Sequence, residues 1–187
     1  MYLMKLYYIT GNDSKFDTAK GYFEPLGVEI IQKKLDISEI QSDSTEEIAV
    51  DKANKAFIEL KHSLIVNDSG WYITALKGFP AAYMKLVSHC FVAQDFLNLM
   101  QDKDNREVIL KQVVVAVDDY GNKTVFRHET KGEMFREARG GGTNGFDQVA
   151  SLTPGLTLAE ERDQKKAIAL DAELQLWKDV YGWIKDK

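Results

Sequence analysis

The chain has 187 residues, 24 Lys and Arg against 29 Asp and Glu, a net charge of −5 and 44% hydrophobic residues. That is the composition of an ordinary globular protein with one sizeable core, read here as a single domain over residues 1–187. The acidic balance argues against a nucleic-acid partner, which needs a basic face to neutralise phosphates, but leaves room for a local cationic pocket. The lone Cys90 excludes an internal disulfide and reads as a small buried hydrophobe. No apolar run approaches the roughly 18 residues of a membrane span. Met1–Thr10 lacks the cleavage site and length of a signal peptide. No membrane partner and a cytoplasmic location are the expectations.

Residues 4–9 predict a first strand that stops at Thr10-Gly11-Asn12. Phe16, Ala19, Phe23 and Leu26 then recur at helical spacing, with Asp13 or Ser14 available as the N-cap. Gly27 ends that helix, and Val28–Ile31 predicts a second strand. Strand, turn, helix, strand is an α/β opening. Residues 45–60 predict the next helix, with Ala49, Ala53, Ala56, Phe57 and Leu60 on one face. Leu64–Val66 is a short apolar strand running into Asn67-Asp68-Ser69-Gly70, after which Trp71–Leu76 resumes a strand pattern. Phe91–Met100 reads as helix, and Val108–Val117 with Lys123–His128 reads as a hairpin around Asp119–Asn122. The glycines of Arg139–Gly145 predict a flexible loop of a site or of plain surface. A final helix is expected from about Asp163 to Lys185, its stripe formed by Leu170, Leu174, Trp177, Tyr181 and Ile184.

Three groups of residues carry candidate chemistry. Thr10-Gly11-Asn12-Asp13-Ser14-Lys15 lies where a strand hands over to a helix N-terminus. Backbone N–H groups, the helix dipole and the Lys15 cation would suit a polyphosphate there; a tight turn with a solvated lysine accounts for the same residue types. Asp68 follows a buried strand and suits Mg²⁺ or an ordered water, or else an Asx-type turn. Glu39 and Lys52 supply an acid and a base near an apolar helix face, or simply two surface charges. The three histidines, His62, His89 and His128, show no metal-like spacing.

Taken in order, these motifs resemble the inosine/xanthosine triphosphate pyrophosphatases. Thr10-Gly11-Asn12-x-x-Lys15 is similar to that family's N-terminal signature, Glu39-Ile40-Gln41 to its acidic segment and Glu47–Ala53 to its next helix. Asn67-Asp68-Ser69-Gly70 resembles Asp-Asp-Ser-Gly, and Ala75–Lys85 resembles the segment that follows it. Asn144-Gly145-Phe146-Asp147-Gln148 resembles Phe-Gly-Tyr-Asp-Pro, and Thr157–Glu160 with Lys165 resembles the run into the last helix.

The resemblance implies an α/β fold with an elongated, twisted mixed sheet, flanking helices, two lobes around a nucleotide cleft, and a homodimer. It implies Mg²⁺-dependent hydrolysis of a nucleoside triphosphate to the monophosphate and pyrophosphate. Asp68 would be the base, Glu39 and Asp68 would hold Mg²⁺, and Lys15 and Lys52 would act on the triphosphate with Thr10, Gly11 and Asn12. Ser69, Gly70, Asn144, Gly145, Phe146, Asp147 and Lys165 would complete the substrate site, with Phe146 available to stack on a base. Two departures stand out. The family's Ser-His-Arg clamp for the base falls at Ala169-Leu170-Asp171, and Asn67 replaces an acid. A non-catalytic nucleotide-binding descendant and a different nucleotide phosphohydrolase are the competing readings.

Overall fold

The computed structural model describes residues 4–142, 144–164 and 170–186, with the side chains of 170–173 outside the description. Strand β1 (Met4–Ile9) leads into helix α1 (Asp13–Phe23), strand β2 (Val28–Lys33) and helix α2 (Thr45–Leu60). Next come β3 (Leu64–Ile73), β4 (Pro80–Ala81), α3 (Met84–Cys90), α4 (Ala93–Met100), β5 (Glu107–Val117) and β6 (Lys123–Met134). The chain closes with β7 (Ala150–Ser151), α5 (Leu158–Asp163) and α6 (Leu170–Lys185). The strands form one mixed sheet in the order β2-β1-β3-β5-β6-β7, with β4 paired to β3. β1 is parallel to β2 and β3, whereas β4 is antiparallel to β3 and β7 to β6. This is the α/β class read from the sequence pattern, with the helix-flanked mixed sheet that the family resemblance implies.

Two compact units divide the chain: residues 1–68, 112–128 and 173–187 form the first, residues 69–111 and 129–172 the second. In the first unit the central strands are buried on both faces, so their sequences read as near-continuous apolar runs. Alternation along each strand sends successive side chains to opposite faces. Leu6, Tyr8, Ile65, Val114 and Ala116 pack with Ala19 and Phe23 of α1 and with Trp177, Val180 and Ile184 of α6. Ile9, Leu64, Val66, Val113, Val115 and Val117 pack instead with Ala49, Ala53 and Ala56 of α2. The helices therefore cover both faces of this part of the sheet. The small alanines of α2 are what let that helix approach closely. In the second unit a separate core gathers Ile73, Phe96, Met100, Val108, Met134, Phe146 and Val149.

Several expectations are corrected. Asn67–Gly70 is no turn but the middle of a continuous strand β3, so the Asx-turn reading fails. Trp71–Leu76 divides into the end of β3 and a single 3₁₀ turn at Thr74–Leu76. Asn12, not Asp13 or Ser14, caps α1, because its side chain accepts the Lys15 N–H. Of the expected last helix, Leu170–Lys185 is described as α6, and a separate short helix, α5, precedes it at Leu158–Asp163 with Thr157 as its cap. Its buried stripe includes Leu176 and Val180 beside Trp177 and Ile184. Helix α3 lacks a sequence signal strong enough to be read, and Cys90 at its end is exposed instead of buried.

Candidate active site

In the first unit, Thr10, Gly11 and Asn12 leave the C-terminal end of β1, which lies between two parallel neighbours, β2 and β3. The carboxyl ends of parallel strands are where α/β sheets bind ligands. Here the turn is built from its own residues. Thr10 N–H donates to Lys33 O at 3.2 Å. Asn12 N–H donates to Thr10 Oγ1 at 3.1 Å, and Asn12 Oδ1 accepts the Lys15 N–H at 3.1 Å. The N–H groups of Asp13 and Ser14 have no acceptor within the helix, as at any helix start. A side chain on Gly11 would meet nothing within 4 Å, so open space lies above the turn. Gln32 Nε2, at 2.9 Å, and Lys34 Nζ, at 2.7 Å, both donate to Asp13 Oδ1. These contacts, the Lys34 bond foremost, hold the Asp13 carboxyl below its usual pKa and offset its charge beside the turn.

Strand alternation sorts the remaining candidates. Ile65 points to the α1 face and Val66 to the α2 face. Asn67 therefore belongs to the α1 face and Asp68 to the α2 face. The Lys15–Asn67 contact agrees: Lys15 Nζ lies 3.5 Å from Asn67 Oδ1. On the α2 face, Lys52 donates to Glu39 Oε1 at 2.6 Å. The segment carrying Glu39 is pinned to α2 a second time, by Lys55 Nζ on Ser38 O at 2.7 Å, while Leu35 and Ile37 pack against the core beneath. Glu39 and Lys52 are thus an ion pair on an anchored segment and not two independent surface charges. In the first unit Lys15 meets Asn67 beside the capped turn after β1, and Lys52 meets Glu39 on the α2 face, the face to which Asp68 also belongs.

The second unit treats its candidates differently. Ser69 and Gly70 continue β3. Gly145 is a packing residue, since a Cβ there would sit 2.3 Å from Ala93 N and 2.5 Å from Val92 C. Phe146 is 1% exposed and makes edge contacts with Trp71 and Phe96, at centroid distances of 5.0 and 5.3 Å. Its ring is core, which corrects the expectation that it is available to stack on a base. Asn144 Oδ1 accepts the Phe146 N–H at 3.1 Å, forming the turn. Asp147 is buried at 8% exposure and paired with Arg162 of α5, a residue with no warning in the sequence pattern. The glycine run is also tied down: Gly141 N–H donates to Asp163 Oδ2 at 2.8 Å, and a Cβ on Gly140 would lie 2.6 Å from Glu160 N. A loop read as flexible is, at these positions, a close fit against α5. Lys165 and Ala169 lie outside the described residues, as do the side chains of Leu170 and Asp171.

Comparison with known proteins decides the family. The family model described as Ham1 family matches residues 6–170. The chain belongs to the Ham1 family. Among curated relatives, the dITP/XTP pyrophosphatase of Thermococcus kodakarensis is 37% identical over 146 residues, 78% of each chain. The dITP/XTP pyrophosphatase of Pyrococcus horikoshii is 29% identical over 185 residues, 97% of each chain. The solved structure of a HAM1 protein from Coxiella burnetii superposes with a TM-score of 0.82 at 20% identity, over 99% of this chain and 100% of that one. At that identity the likeness establishes the fold alone. No helix among the described residues is long and apolar enough to cross a membrane.

Proposed function

We propose that the chain hydrolyses a non-canonical purine nucleoside triphosphate to the monophosphate and pyrophosphate. The observation that carries this reading is the paired arrangement in the first unit: Lys15 with Asn67 on one face of β3, Lys52 with Glu39 on the other. Lys15 lies in the first turn of α1, at an open helix start that suits a chain of phosphates. The activity of the curated relatives, dITP/XTP pyrophosphatases at up to 37% identity, supports the same reaction class.

In this reading the triphosphate lies against the Thr10–Asn12 turn, held by backbone N–H groups and by Lys15 and Lys52. Asp68 accepts a proton from a water whose oxygen attacks the α-phosphorus. The bond from that phosphorus to the oxygen bridging toward the β-phosphorus breaks, and pyrophosphate leaves with that oxygen. Among the described residues no three His, Cys, Asp or Glu side chains gather into a ready-made metal cage. The donor chemistry nevertheless fits Mg²⁺, which is commonly held by one or two carboxylates together with substrate phosphates and water. Glu39 and Asp68 would hold it, with Lys52 sharing Glu39. Bound there, Mg²⁺ supplies charge neutralisation on the phosphate oxygens.

Ser69, Gly70, Asn144, Gly145, Asp147 and Lys165 would serve the rest of the nucleotide, with the Phe146 backbone and not its ring contributing. Since Ala169-Leu170-Asp171 offers no Ser-His-Arg set, selectivity for a keto-purine weakens. A cytoplasmic homodimer is the assembly and location that go with this reading. Hydrolysis in ¹⁸O-labelled water tests it. Label in the monophosphate supports attack at the α-phosphorus. Label in pyrophosphate, or orthophosphate as the product, refutes it.

A further inference from the structure

Asn67 has a role that neither the motif nor the reaction accounts for. Its side chain is buried, with 7% of the residue exposed, in a strand that continues the core. The Lys15 ammonium has only hydrogens to offer, so it takes the carbonyl end of the carboxamide, Oδ1, at 3.5 Å. That contact fixes the orientation of the group. Flipping the amide would set an NH₂ against an NH₃⁺. The Nδ2 atom therefore faces away from Lys15, and it is buried without any hydrogen-bond partner. A buried amide donor with no acceptor costs stability, and native structures keep few of them.

The chemistry of the missing partner follows from what surrounds it. Asn67 shares its face of β3 with α1, whose N-terminal end offers N–H donors and the Lys15 cation. Of the acceptors on the turn, Thr10 Oγ1 is engaged by Asn12 N–H and the Thr10 carbonyl by Gln32 Nε2 at 3.3 Å. The surroundings are rich in donors. The absent group is therefore an acceptor that several donors can share, and an oxyanion has that property. A carboxylate at position 67 would repel such a group, whereas a carboxamide presents a neutral donor to it and still holds Lys15.

We propose that Asn67 is a substrate-binding residue: Nδ2 donates to a non-bridging phosphoryl oxygen of the polyphosphate that Lys15 also holds. This rests on the triphosphate reading above and adds to it a residue that the motif resemblance presents only as a replaced acid. Because Asn67 does not titrate, its contact persists across the pH range in which the phosphate stays ionised.

The test uses the full chain and inorganic tripolyphosphate as the probe, with calorimetric affinity and the ligand-induced shift in melting temperature as readouts. Asn67→Ala is expected to bind tripolyphosphate about tenfold more weakly, a loss of about 1.4 kcal/mol, while its affinity for the nucleoside inosine stays unchanged. Asn67→Asp is expected to bind more weakly still, since it faces the anion with a charge. Tripolyphosphate affinity equal to the parent's in either folded variant would overturn the proposal. So would a lower melting temperature for the free Asn67→Ala protein with the tripolyphosphate-induced shift preserved, which is what a purely structural role predicts. If Asn67→Ala does not fold, the isosteric Asn67→Asp decides the matter alone. Parent protein that binds tripolyphosphate but releases no pyrophosphate from any nucleotide would count against the hydrolase reading only, and the Asn67 assignment would then stand or fall on the calorimetry.

Discussion

The two units set similar-looking sequence motifs in opposite surroundings. In the first, Thr10–Asn12 form the turn after β1, and Lys15 with Asn67 and Lys52 with Glu39 make contacts within the candidate set. A side chain on Gly11 would meet open space. In the second, Gly145, Phe146 and Asp147 face inward: a glycine against the start of α4, a ring in the core and a carboxylate closed off by Arg162. A glycine at a motif position thus has two meanings. One borders open space and the other leaves room for the protein itself, and only the atoms around the missing Cβ tell them apart.

The largest expected effect lies in the first unit. Asp68→Asn should lower turnover by about 10²–10⁴-fold, the usual contribution of a general base, while leaving nucleotide affinity near normal. Steady-state rates with equilibrium binding measure the two separately, and unchanged turnover would remove Asp68 from the reaction. In the second unit the matching experiment is Phe146→Ala. A buried ring predicts a loss of about 3–5 kcal/mol in unfolding free energy. A variant with unchanged stability but a raised KM would show that the ring serves the base after all, and the contrast between the units would collapse.

Lys15→Ala is a smaller effect. Triphosphate affinity should fall roughly tenfold, consistent with losing one charge-assisted contact, and monophosphate affinity should fall less. Equal losses for both ligands would place Lys15 away from the phosphate chain. The smallest effect concerns Glu46, which accepts both bonds of the Arg127 guanidinium at 2.5 Å and whose carboxyl pKa is lowered chiefly by those bonds. A carboxyl lowered in the folded state stabilises above its unfolded pKa, near about 4.3, and that contribution disappears as pH falls through the folded value. Both partners are more than a third exposed, so Arg127→Met should cost under about 1 kcal/mol at neutral pH. The difference from the parent should vanish in acid. Denaturant melts across pH would show whether it does.

The sequence made most of the first unit readable, because its signals are local. The strand over residues 4–9, the helix over 45–60 and the apolar runs of β3 and β5 each follow from period and burial. What misled the reading was a polar tetrapeptide inside a strand. Asn67-Asp68-Ser69-Gly70 has turn composition, yet β3 passes straight through it. Tertiary pairing overrides local preference there, and the alternation of the strand then separates Asn67 from Asp68. The second unit was less legible for a related reason. Nothing within a few residues of Phe146 reveals that Trp71 and Phe96 close around it, and nothing near Asp147 announces Arg162. Such contacts join distant stretches of chain, where residue type is a poor guide to exposure.

The central claim, that the first unit holds a working triphosphate site, is tested most directly by pyrophosphate release. Canonical and deaminated nucleoside triphosphates would be assayed as a panel, with and without Mg²⁺, with Asp68→Asn as the blank. The account predicts metal-dependent release that the variant lacks, with inosine triphosphate favoured over adenosine triphosphate by a modest factor. Silence across the panel, or release that survives in Asp68→Asn, would contradict it.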